Sequence, residues 1–407
     1  MYDLIIIGAG AGGLFASAYA GYNFQNKRIL VLEKTSKPGI KLLMSGSGQC
    51  NFTHAAMPED FIMHYGENGR KIKHVIYSLN YLQLMDLMSK MGIASIIREV
   101  GKVFPQSLQA TDIRDAFLHQ ASKNKTCFKY NEDIKEVVFQ DSHYTIKTGS
   151  DSYQAKNILW ATGGKSSLIK SFENNSYSLL QGLGHEVIPL KPALVPPELK
   201  NYIYGSLTGI SFKDIQMSVI SANKKARQFI GDMLFTHHGV SGPVVLDASR
   251  YFANGDILSF NFTTFKNYEA FYQDFQEKMQ ASPKKTIRNL LLEYALPEAL
   301  INLLMDNLGI DRLLNSHNIR KENLVKLLKK LTDFDLEIKN LGSWQKAMVT
   351  SGGVSLRDIN TKTMESKLYP GMYFAGEILD IDGDTGGYNI HFAMASAKLA
   401  IGNIFKK

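Results

Sequence analysis

The amino-terminal segment combines two short apolar runs with a helix-forming run between them. Residues 3–7 (DLIII) and 28–32 (RILVL) have the length and the β-branched content of buried strands, and residues 12–22 are rich in alanine with a leucine and a phenylalanine. A strand, a glycine-rich turn, a helix and a second strand in this order begin a parallel, doubly wound sheet. The pattern therefore predicts an α/β fold.

Helical spacing returns further along the chain. The apolar positions within residues 71–91 recur every three or four residues, which predicts one long helix. A second helix is expected over residues 111–123, because Asp112 and Asp115 would lie in its first turn. Strands are predicted within residues 126–160, where the run NILWATGG ends the last of them.

A change of composition separates this region from the next. Four of the eleven prolines lie within residues 189–197. Four strand-like runs follow them, over Tyr202–Leu207, Ile215–Ile220, Gln228–Thr236 and Asp256–Phe262. The pattern becomes helical over residues 267–331, with breaks at Pro283 and Pro297, and strand character returns after residue 333.

These changes predict one nucleotide-binding domain that is built from both ends of the chain and carries two insertions. The domain would comprise residues 1–190 and 351–407. A β-rich insert would comprise residues 191–265 and 333–350, and a helical insert would comprise residues 266–332.

Composition excludes several classes of protein. Of the 407 residues, 44% are hydrophobic and 21% are charged, which excludes a disordered chain. No apolar run reaches about 18 residues, so no membrane-spanning helix is expected. The first residues lack the basic segment of a secretory signal, so we expect a cytoplasmic protein. With two cysteines, Cys50 and Cys127, and no HExxH spacing, no metal site is predicted.

The net charge of +8 raises the question of an acidic partner such as nucleic acid. The one local basic cluster lies within residues 320–330, where leucines at helical spacing place the lysines on the opposite face. This pattern is typical of a solvated helix face. We therefore expect a small-molecule substrate rather than a nucleic acid. The sequence does not indicate which oligomeric state the protein has.

The first motif that indicates chemistry is Gly8-x-Gly10-x-x-Gly13. Gly8 would permit the tight turn, Gly10 would let a pyrophosphate approach the backbone, and Gly13 would let the helix pack on the strand. Glu33 ends the second strand, 20 residues beyond Gly13, and its carboxylate can accept hydrogen bonds from ribose hydroxyls. The motif predicts a dinucleotide of the FAD or NAD type.

Two further glycine-rich segments would face a ligand. Residues 39–51 (GIKLLMSGSGQCN) leave backbone amides exposed, and Lys41 could serve a phosphate. Cys50 could touch a flavin ring or be a small buried apolar residue. Residues 161–164 (ATGG) follow a strand, where a cofactor lying across a sheet requires small side chains.

The carboxyl-terminal stretch contains another strand, turn and helix. Residues 372–375 run into Gly376 and Glu377, whose carboxylate can bind sugar hydroxyls. The turn of residues 386–389 opens a helix whose amino terminus would direct partial positive charge at an anion or an electron-rich ring. Three alternating aspartates lack the spacing of a calcium site and are assigned to a surface turn and to hydroxyl binding: Asp380, Asp382 and Asp384.

The segments GIKLLMSGSGQCN, GKVFP, GDMLFTHHGVSGP, TSGGV and AGEILDIDGDTGGYN resemble the BaiN-like flavoproteins. These are NAD(P)/FAD-dependent oxidoreductases with two dinucleotide-binding motifs, and they include aminoacetone oxidases and bile-acid reductases. The resemblance covers essentially the whole chain. It implies a Rossmann-like FAD-binding domain built from both chain ends, with an inserted β-barrel-like domain and a small helical domain. It also implies non-covalent FAD, with NAD(P)H as a transient donor.

The motifs and the resemblance together give a set of candidate cofactor residues: Gly8, Gly10, Ala11, Gly12, Gly13, Glu33, Lys34, Lys41, Leu42, Ser45, Gly46, Gly48, Cys50, Asn51, Ile134, Ala161, Thr162, Gly163, Gly376, Glu377, Gly387, Tyr388, Asn389 and Ile390. The resemblance implies that the ADP half is held by Gly8, Gly10, Gly13 and Glu33. It implies that the pyrophosphate and flavin are lined by Lys41, Ser45, Gly46 and Asn51, and that the ribityl chain and pyrimidine edge are held by Glu377, Gly387, Asn389 and Ile390. Ile134 would contact adenine through its backbone. Gln49 stands where the family usually has arginine.

A bound FAD implies hydride transfer at flavin N5, and we expect NAD(P)H-driven reduction of a small unsaturated or carbonyl substrate. An oxygen-dependent oxidase of a small amine remains open, as does a flavin-binding sensor that engages RNA. No catalytic residue is assigned. The candidates for proton transfer or ring contact are His237, Cys50 and Tyr388.

Overall fold

A computed structural model of the protein describes residues 1–166, 175–221 and 224–406. The helices are α1 (Ala11–Asn23), α2 (Ile40–Met44), α3 (Pro58–Phe61), α4 (Lys73–Ser78), α5 (Tyr81–Lys90), α6 (Ala110–Ser122), α7 (Ser176–Gly182), α8 (Pro243–Ala248), α9 (Tyr268–Ala281), α10 (Ile287–Leu292), α11 (Glu298–Asn307), α12 (Lys321–Thr332) and α13 (Tyr388–Lys406). None of the helices in these ranges is long and apolar enough to cross a membrane.

The strands of the same ranges are β1 (Tyr2–Ile7), β2 (Ile29–Glu33), β3 (Thr53–His54), β4 (Ser95–Ile97), β5 (Lys102–Pro105), β6 (Cys127–Tyr130), β7 (Ile134–Gln140), β8 (His143–Thr148), β9 (Ser152–Trp160), β10 (Val187–Ala193), β11 (Glu198–Leu199), β12 (Ser211–Ser221), β13 (Lys224–Thr236), β14 (Gly239–Ser241), β15 (Ile257–Asn261), β16 (Phe334–Asn340), β17 (Val349–Val354), β18 (Ile359–Asn360), β19 (Glu365–Ser366) and β20 (Met372–Phe374). The chain divides into two compact units, residues 1–193 with 344–407 and residues 194–343.

The first unit is built around a sheet whose central strands run parallel, in the order β20-β9-β1-β2-β6. Residues 4–7 of β1 are completely or almost completely buried, as expected for a parallel strand that is covered on both faces. Helices α1 and α13 pack together on this sheet. The predicted Rossmann-like α/β fold is confirmed.

The register of the parallel strands aligns their carboxyl ends at one edge of the sheet. Ile7 of β1 lies opposite both Leu32 of β2 and Trp160 of β9, and Trp160 lies opposite Phe374 of β20. Ligands of open α/β sheets bind outside the carboxyl ends of such strands. The glycine-rich turns that follow β1, β9 and β20 therefore meet at one place.

The second unit contains an antiparallel sheet with the strand order β11-β16-β15-β12-β13-β14. Its two edge strands approach each other, because a Cβ placed on Gly239 of β14 would lie 3.5 Å from Leu199 Cδ1 of β11. The sheet is thus nearly closed into a barrel, as the resemblance implied. Helices α9 to α12 share one hydrophobic core with it. The division of the chain into three domains stays a prediction.

Two details of the predicted elements are wrong. The single helix expected over residues 71–91 is two helices, α4 and α5, because Asn80 starts a new helix with a capping box in which its side chain and that of Gln83 each bond the other's backbone N–H. The strand expected over Tyr202–Leu207 is absent: residues 205–207 form a short 3₁₀ turn.

Candidate functional site

The turn between β1 and α1 has the geometry of a phosphate-binding loop. Gly8 has a φ of +99°, and a Cβ there would lie 2.6 Å from the carbonyl oxygen of Ala161. A Cβ on Gly13 would lie 1.9 Å from the Gly8 carbonyl oxygen, so the helix can start here only with glycine. A Cβ on Gly10, by contrast, would meet no atom within 4 Å. Gly10 therefore borders open space at the amino terminus of α1.

Within the described residues, no side chain caps the amino terminus of α1. Gly10 is the N-cap residue and offers no side-chain acceptor, so the first N–H groups of the helix point toward the open space without a side-chain partner. Such a helix terminus binds phosphate through these N–H groups and the helix dipole. The local geometry fits a pyrophosphate.

Glu33 places its carboxylate directly beside this turn. Its Oε2 accepts from the Ala9 N–H at 2.6 Å, and its Oε1 accepts from the N–H and the hydroxyl of Thr35 at 2.8 and 2.7 Å. These bonds fix the orientation of the carboxylate, whose two oxygens have about four acceptor positions in total. Glu33 therefore keeps acceptor capacity for ribose hydroxyls.

The backbone of Ile134 lies near Glu33, because Glu132 donates its N–H to the Glu33 carbonyl oxygen at 2.9 Å. The Ile134 carbonyl itself accepts from Asn175 Nδ2 at 2.8 Å. The adjacent Lys34 pairs with Asp133 at 3.3 Å. This segment borders the end of the site where the adenosine is expected.

Lys41 and Glu377 form an ion pair in the same unit. The Lys41 Nζ lies 2.7 Å from Glu377 Oε2 and 2.6 Å from the Ser166 hydroxyl oxygen. Glu377 Oε1 also accepts from the Ser166 hydroxyl at 2.9 Å and from the Thr350 N–H at 2.8 Å. The predicted phosphate-binding lysine and the predicted hydroxyl-binding carboxylate are thus brought together at one polar cluster.

The segment after α2 contains a sharp turn, and Cys50 near its end is buried. Ser47 and Cys50 have positive φ values of 57° and 58°, and the Cys50 side chain is completely buried. Burial raises the pKa of the Cys50 thiol to about 12, so the group stays protonated and acts as an apolar side chain. The buried Oδ1 of Asn51 has no hydrogen-bond partner among the described residues.

A second buried oxygen without a partner follows β9. It is the Thr162 hydroxyl, and no described residue bonds it. Buried polar atoms of native proteins almost always have partners, so such atoms indicate a missing ligand or water. Thr162 and Asn51 both belong to segments that the sequence predicts to contact a cofactor.

The turn before α13 packs tightly against β3. Gly387 has a φ of +99°, and a Cβ there would lie 2.8 Å from backbone atoms of Thr53. The Asn389 amide bonds the N–H and the carbonyl of Gly383, each at 2.8 Å, and so fixes the loop before the helix. The amino terminus of α13 is therefore held rigidly.

His391, one turn into α13, is completely buried and neutral. Its Nε2–H donates to the Leu79 carbonyl at 2.8 Å, so its Nδ1 accepts from the Thr53 hydroxyl at 2.7 Å. Burial lowers the pKa of His391 to about 4. The protonated form is therefore excluded from the native structure at neutral pH.

This burial predicts a dependence of stability on pH. An unfolded histidine has a pKa near 6.5, so the unfolded chain binds more protons than the native chain between about pH 6.5 and pH 4. We expect the free energy of unfolding to fall by about 2 kcal/mol from pH 7.5 to pH 5 through His391. Urea unfolding at both pH values would measure the difference. His391→Gln should reduce the pH dependence by that amount, and an unchanged dependence would contradict the assignment.

Three rings meet at the start of α13 in an arrangement that the sequence did not predict. Tyr388 stacks on His64 with ring centroids 4.2 Å apart and on His54 at 5.1 Å. The His64 Nδ1 lies 2.9 Å from Asp384 Oδ2, and the Asp384 N–H donates to the His64 carbonyl. Asp384, assigned from the sequence to a surface turn, is thus the partner that orients a partly exposed histidine.

The two histidines differ in their surroundings. Burial lowers the pKa of His54, whose Nδ1 lies 3.3 Å from the Gly386 carbonyl, and this contact only partly offsets the effect. His64 instead has a carboxylate partner, Asp384, and its ring is partly exposed. Of the two, His64 is the ring that a carboxylate orients.

A groove on the same unit is lined by Arg98, Glu99, Val100, Lys102 and Phe104. It adjoins the segment with Cys50, because Arg98 Nη1 donates to Gln49 Oε1 at 3.2 Å and a Cβ on Gly46 would lie 3.5 Å from the Phe104 ring. Where the family usually has arginine, this chain thus has Gln49 with the guanidinium of Arg98 beside it.

The residues present fit a bound dinucleotide. Gly10 leaves space at a helix terminus without a side-chain cap, and Glu33 retains acceptor capacity. The buried oxygens of Asn51 and Thr162 have no partner in the part of the chain that the structure describes. A comparison with protein-family models matches residues 2–403 to the model described as "HI0933-like protein Rossmann domain". The chain belongs to the HI0933-like Rossmann family. It is accordingly an oxidoreductase of the flavin-dependent type.

Relatives of this HI0933-like chain match along nearly their whole length. The "Ribosomal RNA dihydrouridine synthase" of Escherichia coli is 31% identical over 97% of this chain and 96% of its own. The protein of the same name from Haemophilus influenzae is 30% identical over 97% and 96%. The "3-dehydro-bile acid delta(4,6)-reductase" of Clostridium scindens is 26% identical over 97% of each chain.

The candidate cofactor residues of this HI0933-like chain all lie in the first unit. The turns at Gly8, Ala161 and Gly376 meet through the register of the strands, as described above. Leu42 is buried, and Ile390 is partly buried. Their contacts with a cofactor stay a prediction.

His237 belongs to the second unit. It is exposed at the hairpin between β13 and β14, with His238 beside it. The residues that sequence reasoning missed are His54 and His64. Neither lies in a glycine-rich motif, and only the pairing of β3 with β5 and the turn at Gly386 bring them to Tyr388.

Proposed function

We propose that the protein uses FAD and NAD(P)H to reduce a carbon–carbon double bond conjugated to a carbonyl, and that its substrate is a uracil base in ribosomal RNA. The observation that carries this choice of substrate is the pair of relatives, 31% and 30% identical over nearly the whole chain, that are named for dihydrouridine formation in ribosomal RNA. A ribosomal substrate would place the protein in the cytosol.

The reaction class is supported by the third relative as well, since it is named as a reductase of a bile acid with double bonds at positions 4 and 6. In uracil the C5=C6 bond is conjugated to the C4 carbonyl. A hydride adds to C6 and a proton adds to C5, so the base gains two electrons and two protons while NAD(P)H is oxidised. From the sequence we expect a small unsaturated or carbonyl substrate and no nucleic acid. The proposal keeps the conjugated double bond but replaces the small molecule with RNA, because of the names of the two relatives described above.

When bound, FAD supplies hydride transfer at N5. The amino terminus of α1 beside Gly10 would hold the pyrophosphate, and Glu33 would accept hydrogen bonds from the adenosine ribose. Asn51 and Thr162 each have a buried oxygen without a partner among the described residues, and they would offer these oxygens to the flavin half. Lys41 and Glu377 lie at the polar cluster described above, where they can bind phosphate and ribityl hydroxyls.

We assign proton donation at C5 to His64. Asp384 fixes the His64 ring through Nδ1, which leaves Nε2 to face a substrate, and the ring is exposed enough to regain a proton from water. An oriented imidazole paired with a carboxylate is the usual arrangement of a general acid. His54, kept neutral by burial, would contribute packing against Tyr388.

The first experiment measures product on RNA. The purified protein, loaded with FAD, is incubated with NADPH or NADH and with ribosomal RNA from a strain that lacks the gene. The RNA is then digested, and dihydrouridine is quantified by mass spectrometry. We expect dihydrouridine to form in proportion to nucleotide oxidised.

Two outcomes would contradict this proposal. A protein that oxidises NAD(P)H with a steroid 4,6-dien-3-one but not with ribosomal RNA would favour the bile-acid reaction. A flavin that neither nucleotide reduces, but that a small amine reduces, would favour the oxidase that the sequence left open.

A further inference from the structure

The tip of the β4–β5 hairpin presents an apolar side chain to solvent at a strained position. Val100 is 77% exposed and has a φ of +52°. A β-branched residue in the left-handed region is a genuine outlier, and such strain is retained where a functional site needs it. Ile96 and Ile97 of β4 are also exposed.

Cationic side chains flank this tip. Arg98 is exposed, Lys102 is partly exposed, and both line the groove that contains Val100, together with one acidic residue, Glu99. The Arg98 guanidinium also lies 5.8 Å from the centre of the Phe104 ring. The groove thus combines apolar, aromatic and positively charged groups.

The tip is attached next to the candidate active site. A Cβ on Gly101 would lie 2.8 Å from His54 Nε2, and Ala55 donates its N–H to the Gly101 carbonyl at 2.7 Å. Arg98 bonds Gln49 on the other side. A ligand that contacts Val100 therefore lies beside His54 and the segment of Cys50.

We propose that the β4–β5 tip binds RNA as a wedge, in which Val100 occupies the space that the target uridine leaves in the base stack, while Arg98 and Lys102 contact the flanking phosphates. This rests on the proposed function, since a uracil must leave its stack before its C5=C6 bond can be reduced. Enzymes that modify bases extrude them, and proteins that distort nucleic acids insert apolar side chains between bases.

The geometry favours RNA over a small apolar substrate for this surface. A small ligand is bound by a concave pocket that buries most of its surface. Val100 instead projects from a hairpin, and the cations beside it complement phosphate.

The test compares two RNA substrates with the FAD-loaded protein. One is a structured ribosomal RNA fragment that contains the modified uridine, and the other is an oligouridylate, whose bases need no extrusion. Val100→Asn removes the apolar group and suits the left-handed backbone. We expect dihydrouridine formation to fall about tenfold on the structured fragment, since unstacking a base costs a few kcal/mol, and to change little on oligouridylate. Val100→Leu, which keeps an apolar wedge, should retain activity on both.

Binding at several salt concentrations tests the phosphate contacts. For Arg98→Gln and Lys102→Gln, the slope of log K against log salt should decrease by about 0.7 each on single-stranded RNA. Lys123→Gln, at the carboxyl-terminal end of α6, is the matched control and should leave the slope unchanged.

The outcomes separate the two proposals. A wild-type protein that forms no dihydrouridine on either RNA overturns the proposed function. A wild-type protein that forms it, with Val100→Asn equally active on both RNAs, overturns the wedge alone. Equal losses on both RNAs would also contradict the wedge, because they indicate damage to the active site rather than to base extrusion.

Discussion

Gly10→Val should yield a folded protein that contains no flavin. A Cβ at this position meets no protein atom within 4 Å, and the backbone φ of −78° suits any residue, so the fold can accept valine. The side chain would instead fill the space at the amino terminus of α1 that a pyrophosphate needs. We expect the purified variant to lack visible flavin absorbance and all reductase activity, with a melting temperature equal to that of the wild-type protein without cofactor.

Gly13→Ala is the informative comparison. Its Cβ would lie 1.9 Å from the Gly8 carbonyl oxygen, so this variant should unfold at a lower temperature even without cofactor. A Gly10→Val protein that retains its full flavin would show that the pyrophosphate lies elsewhere.

The contrast between these two glycines indicates how far sequence reasoning reaches. The spacing from Gly8 to Gly13 predicts the turn, the helix and the ligand. The tight turn, the start of the helix and the approach of a pyrophosphate each depend on residues that are close together in the sequence. The spacing does not show that Gly10 matters for ligand binding and Gly13 for stability. That difference follows from the atoms that a Cβ at each position would meet.

The errors in the predicted elements have the same origin. Apolar spacing continued across Asn80, but the hydrogen bonds between Asn80 and Gln83 interrupt the helix there. The aromatic run after residue 201 has strand composition, yet its turn at residues 205–207 closes on itself, because the hydroxyl and the N–H of Thr208 both donate to the Gly205 carbonyl. At both places, hydrogen bonds of local side chains favour a structure other than the one that the periodicity predicts.

The contact between His64 and Asp384 at the start of α13 could not be predicted from spacing at all. His64 and Asp384 are 320 residues apart, and no motif contains His64. Sequence alone assigned Asp384 to a surface turn and to hydroxyl binding, because the three alternating aspartates lack the spacing of a calcium site. His64 and Asp384 come into contact because Asn389 fixes the loop before α13 and because the Tyr388 ring stacks on His64.

His64→Asn should therefore separate two steps of the proposed reaction. Reduction of the flavin by NAD(P)H needs no acid at C5 of uracil, so bleaching of the visible absorbance should keep its wild-type rate. Transfer to RNA needs the proton that we assign to His64, and a general acid contributes about 10²–10⁴-fold. We expect dihydrouridine formation, measured in single turnovers, to fall by about that factor.

Two control variants test whether the effect depends on the contact between His64 and Asp384. Asp384→Asn keeps the backbone bond to His64 but removes the carboxylate that orients the His64 ring, so it should lower the same rate to a smaller extent. His143→Asn, at the partly exposed start of β8 beside the β7–β8 turn, should have no effect on either step. If His64→Asn slows flavin reduction and RNA reduction equally, the histidine supports the structure of the site and another group donates the proton.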